Sequence, residues 1–225
     1  MAANSEPKVK RIGIFAGSFN PIHQGHVRLA LSVCLTGAVD AVWFMVSPLN
    51  PLKQQGGGAA LLEGNYADRL AMARLATQEF PQLEVTDFER TLPRPSYTWS
   101  TLQALQKQYP QHEFCLMMGQ DNWDHFDRWY HAEDLLSAVD MIVYGRPGSS
   151  ALPSAGSPLG GGVSLWDHTC RTLRPLESDT PFPLFDVSST DVRHAFATAD
   201  RRFLARWLHP AVEAYCRAHS LYGSR

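Results

Sequence analysis

Short apolar runs of strand length alternate along this chain with longer segments that have helical periodicity. The runs are RIGIFA (11–16), AVWFMVS (41–47), QLEVTDFE (82–89), EFCLMMG (113–119), DMIVYGR (140–146) and FPLFDV (182–187). Strands that are separated by helices pair side by side rather than as hairpins. The alternation therefore predicts an α/β fold with a doubly wound, mainly parallel sheet and helices on both faces. In such sheets, ligands bind beyond the carboxyl ends of the strands.

Five helices are predicted from the segments between and after the strands. They cover residues 26–37, 66–80, 96–110, 188–199 and 209–222. The first is expected to end at Gly37 and the second at Pro81, because glycine and proline are common where helices stop. The apolar residues of the first helix recur at helical spacing, and the predicted buried face consists of Val27, Ala30, Leu31, Cys34 and Leu35.

Charge and hydropathy narrow the range of partners. The chain has 20 Lys+Arg against 22 Asp+Glu, a formal net charge of −2. It therefore lacks the excess of positive charge that is typical of proteins that bind nucleic acid or an acidic membrane surface. No apolar run approaches the ~20 residues of a membrane span. Neither nucleic acid nor a membrane is therefore expected as a partner, and the sequence leaves open whether the protein forms a homo-oligomer.

The chain is expected to form a single domain over residues 1–225. Within it, residues 1–9 are interpreted as a polar extension, 149–174 as a surface insertion, and 186–225 as a C-terminal helical part. The four cysteines, Cys34, Cys115, Cys170 and Cys216, lie far apart without a C-x-x-C pair or a secretory leader. They are interpreted as reduced, buried thiols of a cytoplasmic protein.

A loop with an unusual composition, GSFNPIHQGH (17–26), follows the first predicted strand. Its small residues Gly17 and Ser18 let backbone N–H groups approach a phosphate without obstruction from side chains. Pro21 stiffens the turn. His23 and His26 are three residues apart, so in the first turn of a helix their side chains point the same way. The loop therefore predicts a phosphate site at the carboxyl end of the first strand.

Simpler structural interpretations exist for each residue type involved. A lone histidine more often caps a helix or packs against a loop than binds a ligand, serine and threonine commonly cap helices, and a tryptophan is often a core residue. Two histidines behind a strand and a glycine turn favour the phosphate site. The chain has no Glu between the histidines and no Gly-Lys-Ser/Thr sequence in this loop, which excludes an H-E-x-x-H zinc site and a Walker A loop.

The loop resembles the [ST]-F-[DN]-P-x-H-x-G-H signature of the nucleotidylyltransferase superfamily, which implies a Rossmann-like fold. SSTDVR (188–193) is similar to the second signature of that superfamily, S-[ST]-[ST]-x-[IVL]-R. Four further segments resemble the nicotinate-mononucleotide adenylyltransferase branch: SPLNPLK, RPSYTWSTL, MGQDNWDHFDRWY and RPG. The resemblance implies transfer of the adenylyl group of ATP to nicotinate mononucleotide, giving nicotinate adenine dinucleotide and pyrophosphate in NAD biosynthesis.

The resemblance also implies roles for individual residues toward ATP. His23, His26 and Arg193 are the expected catalytic residues, with the histidines stabilising charge on the α-phosphate in the transition state. The expected ATP-binding residues are Gly17, Ser18, Phe19, His26, Gly119, Asp121, Ser188, Ser189, Thr190 and Arg193. Mg²⁺ is expected as a cofactor held mainly through the ATP phosphates, with no protein residue as a direct metal ligand.

The expected mononucleotide-binding residues are Asn20, Lys53, Tyr97, Thr98, Trp129 and Tyr130. By resemblance, Trp129 stacks on the pyridine ring, and backbone amides near Tyr97, Thr98 and Tyr130 meet its carboxylate, which would favour the acid over the amide. The chain departs from the commoner pattern of this branch, which has an Asp in place of Asn20 and a His just before Lys53. This departure affects what the side chains of that loop contribute to binding, and it does not affect the expected reaction class.

Other functions remain open at this stage. The same H-x-G-H scaffold serves enzymes whose acceptor is nicotinamide mononucleotide or phosphopantetheine, and enzymes that join CTP to an alcohol phosphate. A protein of a different class would keep the nucleotide site without turnover, as a non-catalytic nucleotide-binding protein. The SYT and RWY segments favour a pyridine acceptor, and the presence of both histidines and Arg193 favours an active enzyme.

Overall fold

A computed structural model describes residues 10–48, 65–145, 162–178, 182 and 186–224. The strands are β1 (Lys10–Gly17), β2 (Ala41–Val46), β3 (Leu83–Thr86), β4 (His112–Gly119), β5 (Met141–Tyr144), β6 (Val163–Asp167) and β7 (Thr172–Pro175). The α-helices are α1 (Gln24–Leu35), α2 (Tyr66–Thr77), α3 (Thr98–Gln108), α4 (Gln120–Trp123), α5 (Ala132–Ala138), α6 (Ser189–Ala197), α7 (Arg201–Trp207) and α8 (Pro210–Ala218). Short 3₁₀ turns cover Phe88–Thr91, Phe126–Arg128 and Leu221–Gly223.

The seven strands form one sheet in the order β3-β2-β1-β4-β5-β6-β7. The pairs β3/β2, β2/β1, β1/β4 and β4/β5 are parallel, which confirms the predicted α/β fold with a mainly parallel sheet. The strand order reverses between β1 and β4. In sheets of this type, that switch point opens a crevice for ligands at the carboxyl ends of the strands.

Side chains alternate between two apolar cores, one on each face of the sheet. On β2, Val42, Phe44 and Val46 join the core formed with α1, α2, α6 and α8, whereas Trp43 and Met45 face α3, α5 and the 3₁₀ turns. All six residues of β2 are buried, as expected for a parallel strand covered on both faces. Helices on both faces are thus confirmed.

The end of the sheet differs from the expectation of a surface insertion over residues 149–174. Residues 149–161 lie outside the described part, but β6 and β7 form an antiparallel hairpin that extends the sheet from β5. Val163, Ser164 and Leu165 are buried, so this part of the segment is sheet rather than surface loop. The strand predicted for 182–187 lies partly outside the described residues, and Phe182, Asp186 and Val187 are not in a strand.

Two helices differ in detail from the sequence prediction. In α1 the buried residues are Val27, Leu29, Ala30 and Val33, whereas Leu35 is 81% exposed. Leu35 was wrongly placed on the buried face because Leu29 and Val33, four residues apart, complete the buried stripe instead. Gly37 follows the helix end with φ 73°, as predicted. Helix α2 ends at Thr77, before Pro81, and the sequence did not predict α4, α5 or α7.

Two further expectations can be compared with the structure. Cys115 and Cys216 are buried, and burial raises the pKa of each thiol to about 12, but Cys170 is exposed, so the interpretation as buried thiols is wrong for that residue. Cys34 is partly buried. Among the described residues, none of the helices has the length and apolar character needed to cross a bilayer.

Candidate active site

The loop between β1 and α1 folds back over the end of its strand. Phe19 adopts a left-handed backbone conformation (φ 44°) and buries its ring at 3% exposure. A Cβ at Gly17 would lie 2.9 Å from the Phe19 ring, so only glycine leaves room for this ring at the strand end. The buried Phe19 ring therefore anchors the loop, and the polar atoms of the loop are left at the edge of the sheet.

The structure brings the two predicted histidines together. His23 precedes the first residue of α1, and its ring stacks on that of His26 with a centroid distance of 3.7 Å and an interplanar angle of 28°. The backbone N–H of His23 donates a hydrogen bond to Nδ1 of His26 at 3.3 Å. A neutral imidazole that accepts at Nδ1 carries its proton on Nε2. His26 is thereby oriented as a hydrogen-bond donor through Nε2.

Helix α6, which carries the SSTDVR segment, docks directly on the histidine loop. The Ser189 hydroxyl donates to the Pro21 carbonyl at 2.9 Å, and Nη1 of Arg193 donates to the Asn20 carbonyl at 2.6 Å. A Cβ at Gly25 would lie 2.9 Å from Val187 and 3.0 Å from the His23 ring, so Gly25 permits this close approach. Two motifs from opposite ends of the chain thus lie in direct contact.

The three hydroxyls at the start of α6 have different partners. Ser188 caps the helix: its side chain accepts from the Asp191 backbone N–H at 3.2 Å, and the Asp191 carboxylate accepts from the Ser188 backbone N–H at 2.8 Å. This is the ordinary structural role of a serine at a helix start. The Thr190 hydroxyl accepts from Nη2 of Arg193 at 3.0 Å, so it helps to orient the guanidinium beside the helix N-terminus.

A buried arginine that the sequence analysis missed supports the same loop from behind. Arg69 of α2 is fully buried, and its Nη1 donates to the carbonyls of Ser18 at 2.5 Å and Ser47 at 3.0 Å. Its Nε donates to Asn65 at 3.0 Å. Burial lowers the pKa of Arg69, but an arginine side chain stays charged at any physiological pH. The guanidinium therefore ties the ends of β1 and β2 together and places a positive charge behind the loop.

The side chain of Asn20 is held by the protein. Its Oδ1 accepts from Nδ2 of Asn65 at 3.1 Å and from the hydroxyl of Tyr222, near the C-terminus, at 2.5 Å. The peptide bond between Asn20 and Pro21 is cis. Lys53, the other residue expected to interact with the mononucleotide near this loop, lies outside the described residues.

A cleft of about 560 Å³, including its open mouth, lies between the ends of β1, β2 and β4 and helix α3. It is lined by Ile14, Ala16, Met45, Glu89, Thr98, Thr101, Leu102, Leu105, Leu116, Met117, Met118, Gly119, Asn122, Trp129 and Tyr144. Its mainly apolar lining with a few polar groups is typical of small-molecule sites. Of the predicted site residues, it contains Thr98, Gly119 and Trp129.

The remaining predicted residues lie at the edge of this cleft or outside it. Tyr97 and Tyr130 are 39% and 50% exposed, and their rings pack on each other with centroids 4.7 Å apart. They do not line the cleft. Asp121 is exposed at the end of β4, and a Cβ at Gly119 would collide with its carboxylate. Gly119 therefore lets Asp121 turn toward the strand end.

Glu89 is the second residue of this site that the sequence analysis missed. It belongs to the 3₁₀ turn after β3, lines the cleft and is 7% exposed. Burial raises the pKa of the Glu89 carboxyl, and the hydroxyls of Ser47 and Thr101 act against this rise. Nothing in the QLEVTDFE pattern distinguishes this glutamate from a solvated charge at a strand end.

One group of three side chains among the described residues has the geometry to bind a metal ion: Asp140, Asp167 and His168. It lies at the amino end of β5, away from the cleft. The Asp140 carboxylate already accepts from Arg11 and, at 2.7 Å, faces Nδ1 of His168, and the Asp167 carboxylate accepts from Thr169. These hydrogen bonds explain why the three side chains lie together without a metal ion.

Comparisons with known proteins identify relatives over most of the chain. A family model described as cytidylyltransferase-like matches residues 14–195. A protein of Bacteroides fragilis named "Probable nicotinate-nucleotide adenylyltransferase" is 43% identical over 90% of this chain and 89% of its own length. A Bacteroides thetaiotaomicron protein with the same name is 39% identical over 96% of this chain and 95% of its own.

Solved structures show the same fold at low sequence identity. Plasmodium falciparum nicotinic acid mononucleotide adenylyltransferase complexed with NaAD superposes with a TM-score of 0.68, at 16% identity, over 96% of this chain and 98% of that one. A second structure of the Plasmodium protein, complexed with APC, gives a TM-score of 0.67 at the same identity. At this identity the likeness concerns the fold alone.

Proposed function

The chain belongs to the cytidylyltransferase-like family, and we propose that it transfers the adenylyl group of ATP to nicotinate mononucleotide. The products are nicotinate adenine dinucleotide and pyrophosphate, so the protein is a nucleotidyltransferase of NAD biosynthesis. Relatives named for this activity match at about 40% identity over nine tenths of the chain or more. The observation that carries the proposal is the docking of α6 on the histidine loop, which follows a strand that lines the apolar cleft.

The reaction is an in-line displacement at phosphorus. A phosphate oxygen of the mononucleotide attacks the α-phosphorus of ATP, a new P–O bond forms, and the bond to the β-phosphate oxygen breaks as pyrophosphate leaves. A phosphate nucleophile is already ionised near neutral pH, so a general base has little to remove. Catalysis therefore depends on positioning the substrates and on stabilising the charge that develops on the α-phosphate.

We assign the stabilisation of that charge to the two histidines. Their stacked rings sit at the start of α1, where backbone N–H groups and the helix dipole also favour an anion. His26 donates through Nε2 because its Nδ1 is occupied by the His23 backbone N–H. Donors fixed before the reaction contribute most where charge appears in the transition state.

The start of α6 is assigned to the β- and γ-phosphates. Arg193 has five N–H donors, of which two are used by Asn20 and Thr190, so the guanidinium retains donors for phosphate oxygens. Ser189 and Thr190 lie in the first turn beside it. Because Ser188 is the cap, its contribution to ATP binding is to fix the helix start at which the phosphates dock.

The adenosine part of ATP is assigned to the ends of β1 and β4. Gly17, Ser18 and Phe19 form the floor of the loop over which the nucleotide passes, and Gly119 gives it access to the end of β4. The Asp121 carboxylate accepts from the ribose hydroxyls in this proposal. Mg²⁺ enters as the complex with ATP, because the polar groups around the phosphate position are mainly hydrogen-bond donors rather than carboxylates.

The apolar cleft is assigned to the pyridine end of the mononucleotide. Trp129 offers a ring face for stacking, and Thr98 at the start of α3 offers a backbone N–H to the ring carboxylate. Tyr97 and Tyr130 pack on each other at the edge of the cleft. Asn20 acts by holding the loop between β1 and α1, toward which the mononucleotide phosphate points. Lys53 is proposed near that phosphate on the resemblance alone.

Pyrophosphate release tests the substrate assignment. The protein is supplied with ATP and Mg²⁺ and, in separate reactions, with nicotinate mononucleotide or nicotinamide mononucleotide. We expect release with the acid at a kcat/KM well above that with the amide. Equal use of both would overturn the preference for the acid but keep the reaction class. Release with neither would overturn the proposed function.

A further inference from the structure

A buried carboxyl group lies in the apolar cleft that we assign to the pyridine ring. Glu89 is 7% exposed and is the one acidic side chain among the described residues that line the cleft. Its neighbours in the lining include Leu102 and Leu105 of α3 and Met45 of β2. An ionised carboxylate in such surroundings loses most of its hydration, so an acid is poorly placed there unless it serves a purpose.

A second polar group in the same cleft has its hydrogen-bonding capacity only partly used. Thr101 is 3% exposed, and its hydroxyl acts to lower the pKa of the Glu89 carboxyl. Within the described part of the chain, the hydroxyl has no partner at good hydrogen-bond geometry. Other threonines of helices behave differently: Thr77 donates to the carbonyl of Ala73 at 3.1 Å. Buried polar atoms are normally satisfied, so a cleft hydroxyl whose one polar neighbour among the described residues is the Glu89 carboxyl indicates a place for a ligand atom.

We propose that Glu89 is a specificity-determining residue that, in its protonated form, donates its O–H to the ring carboxylate of nicotinate mononucleotide, with the Thr101 hydroxyl as a second donor. The inference rests on the proposed function, because it assigns the ring substituent of that substrate. The one bond that forms is the O–H bond of the Glu89 carboxyl, and its proton comes from solvent. A proton from solvent binds Glu89 when the substrate carboxylate arrives, since two ionised carboxylates cannot share an apolar cleft.

The electrostatics around Glu89 agree with this assignment. Burial raises the pKa of the Glu89 carboxyl above its ordinary value, against the hydroxyls of Ser47 and Thr101, which favour the ionised form. The ionisable group that interacts with it from another element is the Tyr66 hydroxyl of α2, which is in turn influenced by Arg69, and the exposed Asp87 and Arg90 flank Glu89 along the chain. Burial raises the pKa of Tyr66, so that phenol stays neutral, and the arginines stay charged.

The amide substrate behaves differently in the same cleft. The NH₂ of nicotinamide needs an acceptor, which ionised Glu89 supplies without taking up a proton. Binding of the acid is therefore coupled to the uptake of one proton above the pKa of Glu89 in the free enzyme, and binding of the amide is not. In that range, the ratio of the acid affinity to the amide affinity falls about tenfold per pH unit.

Titration calorimetry with the full chain tests the inference. Nicotinate mononucleotide and nicotinamide mononucleotide are titrated separately at pH 8 in two buffers with different ionisation enthalpies, which gives the number of protons taken up by each. The two ligands carry the same phosphate, so its protonation cancels in the difference. We expect the acid to take up more protons than the amide, with a difference that approaches one.

Substitutions locate the proton. In Glu89→Gln we expect that difference to vanish and the affinity ratio to become independent of pH. Glu84→Gln, an exposed glutamate on β3, is the matched control and should keep the wild-type difference. Thr101→Val should lower the affinity for nicotinate mononucleotide by about 3- to 10-fold, as expected for one lost hydrogen bond.

The outcomes separate this inference from the proposed function. If wild-type protein binds and converts the acid but shows equal proton uptake with both ligands, the role of Glu89 is wrong and the function stands. An undiminished difference in Glu89→Gln would also overturn it. If neither mononucleotide binds or supports pyrophosphate release, both proposals fail. The wild-type comparison needs no variant, so the test holds even if Glu89→Gln does not fold.

Discussion

The two ends of the active site are built in different ways. At the phosphate end, the carbonyls of Pro21 and Asn20 and the nitrogen Nδ1 of His26 already have protein partners, and Arg193 is oriented by two of its own bonds. At the pyridine end, apolar side chains surround a buried carboxyl and a hydroxyl that lacks a good partner. In the proposed site, protein contacts therefore hold the groups of the first end, whereas the substrate would complete the hydrogen bonds of the second.

This difference corresponds to two different tasks. Stabilisation of transition-state charge requires donors that need no rearrangement during the reaction, and a network bound to the backbone supplies them. Discrimination between an acid and an amide requires polar groups that remain unsatisfied with the wrong ligand. We therefore expect substitutions at the phosphate end to act mainly on kcat and those at the pyridine end mainly on KM for the mononucleotide.

The largest effect is expected from His26→Ala. Loss of one donor to the α-phosphate should lower kcat by about 10²- to 10³-fold, while the dissociation constant of ATP changes only a few-fold. Pyrophosphate release and ATP titration measure the two quantities. His219→Ala, which removes an exposed histidine beyond α8, is the control and should change neither. An equal loss of ATP affinity and of kcat would mean that His26 binds ATP in the ground state rather than stabilising the transition state.

The next largest effect is expected at the other end, from Trp129→Ala. Stacking of a ring on an aromatic side chain contributes about 1–3 kcal/mol, so KM for nicotinate mononucleotide should rise roughly 10- to 100-fold at nearly constant ATP affinity. Trp129→Phe keeps a ring face and should recover most of the loss. If Trp129→Ala lowers kcat and leaves KM unchanged, the division of tasks between the two ends is wrong.

Gly25→Ala tests how tightly the phosphate end is packed. The added methyl group would meet Val187 at 2.9 Å and the His23 ring at 3.0 Å. Overpacking of this kind should reduce the free energy of unfolding by about 1–3 kcal/mol and lower kcat by shifting His23. Urea unfolding and steady-state kinetics provide the measurements, with Gln24→Ala as the neighbouring control. Normal stability and rate would show that the helix and the loop are not in close contact.

The smallest effect is expected from Asn20→Asp. An aspartate retains an oxygen that accepts from Asn65 and Tyr222, so the free energy of unfolding should change by less than about 1 kcal/mol. Asn20→Leu leaves both donors without their acceptor and should cost about 1–3 kcal/mol. A similar loss in both variants would mean that the amide NH₂ of Asn20, rather than its oxygen, is what the loop requires.

The residues of the proposed phosphate end could be singled out from the sequence because their signal is local. The stretch from Gly17 to His26 contains the turn, the cap and both histidines within ten residues, and SSTDVR is equally compact. The pairing of these two segments could not be read from spacing, since it depends on hydrogen bonds to backbone carbonyls across the fold. The resemblance to a known family supplied that link.

The pyridine end was predicted less completely because its residues come from separate elements. Glu89 and Thr101 belong to a turn and a helix face that the pattern treats as ordinary. Arg69 did leave a signal: it lies at helical spacing with the buried Tyr66, Leu70 and Ala73, a position where an exposed arginine is not expected. The β6–β7 hairpin was missed because it follows a long Gly/Ser/Pro-rich stretch.

Identification of the products tests the central claim most directly. The protein is incubated with Mg²⁺, ATP and nicotinate mononucleotide, and the mixture is analysed by mass spectrometry and by a pyrophosphate assay. We expect one molecule of nicotinate adenine dinucleotide for each pyrophosphate, and no product from either substrate alone. Release of phosphate or AMP from ATP without a dinucleotide, or no turnover in the complete mixture, would contradict the account.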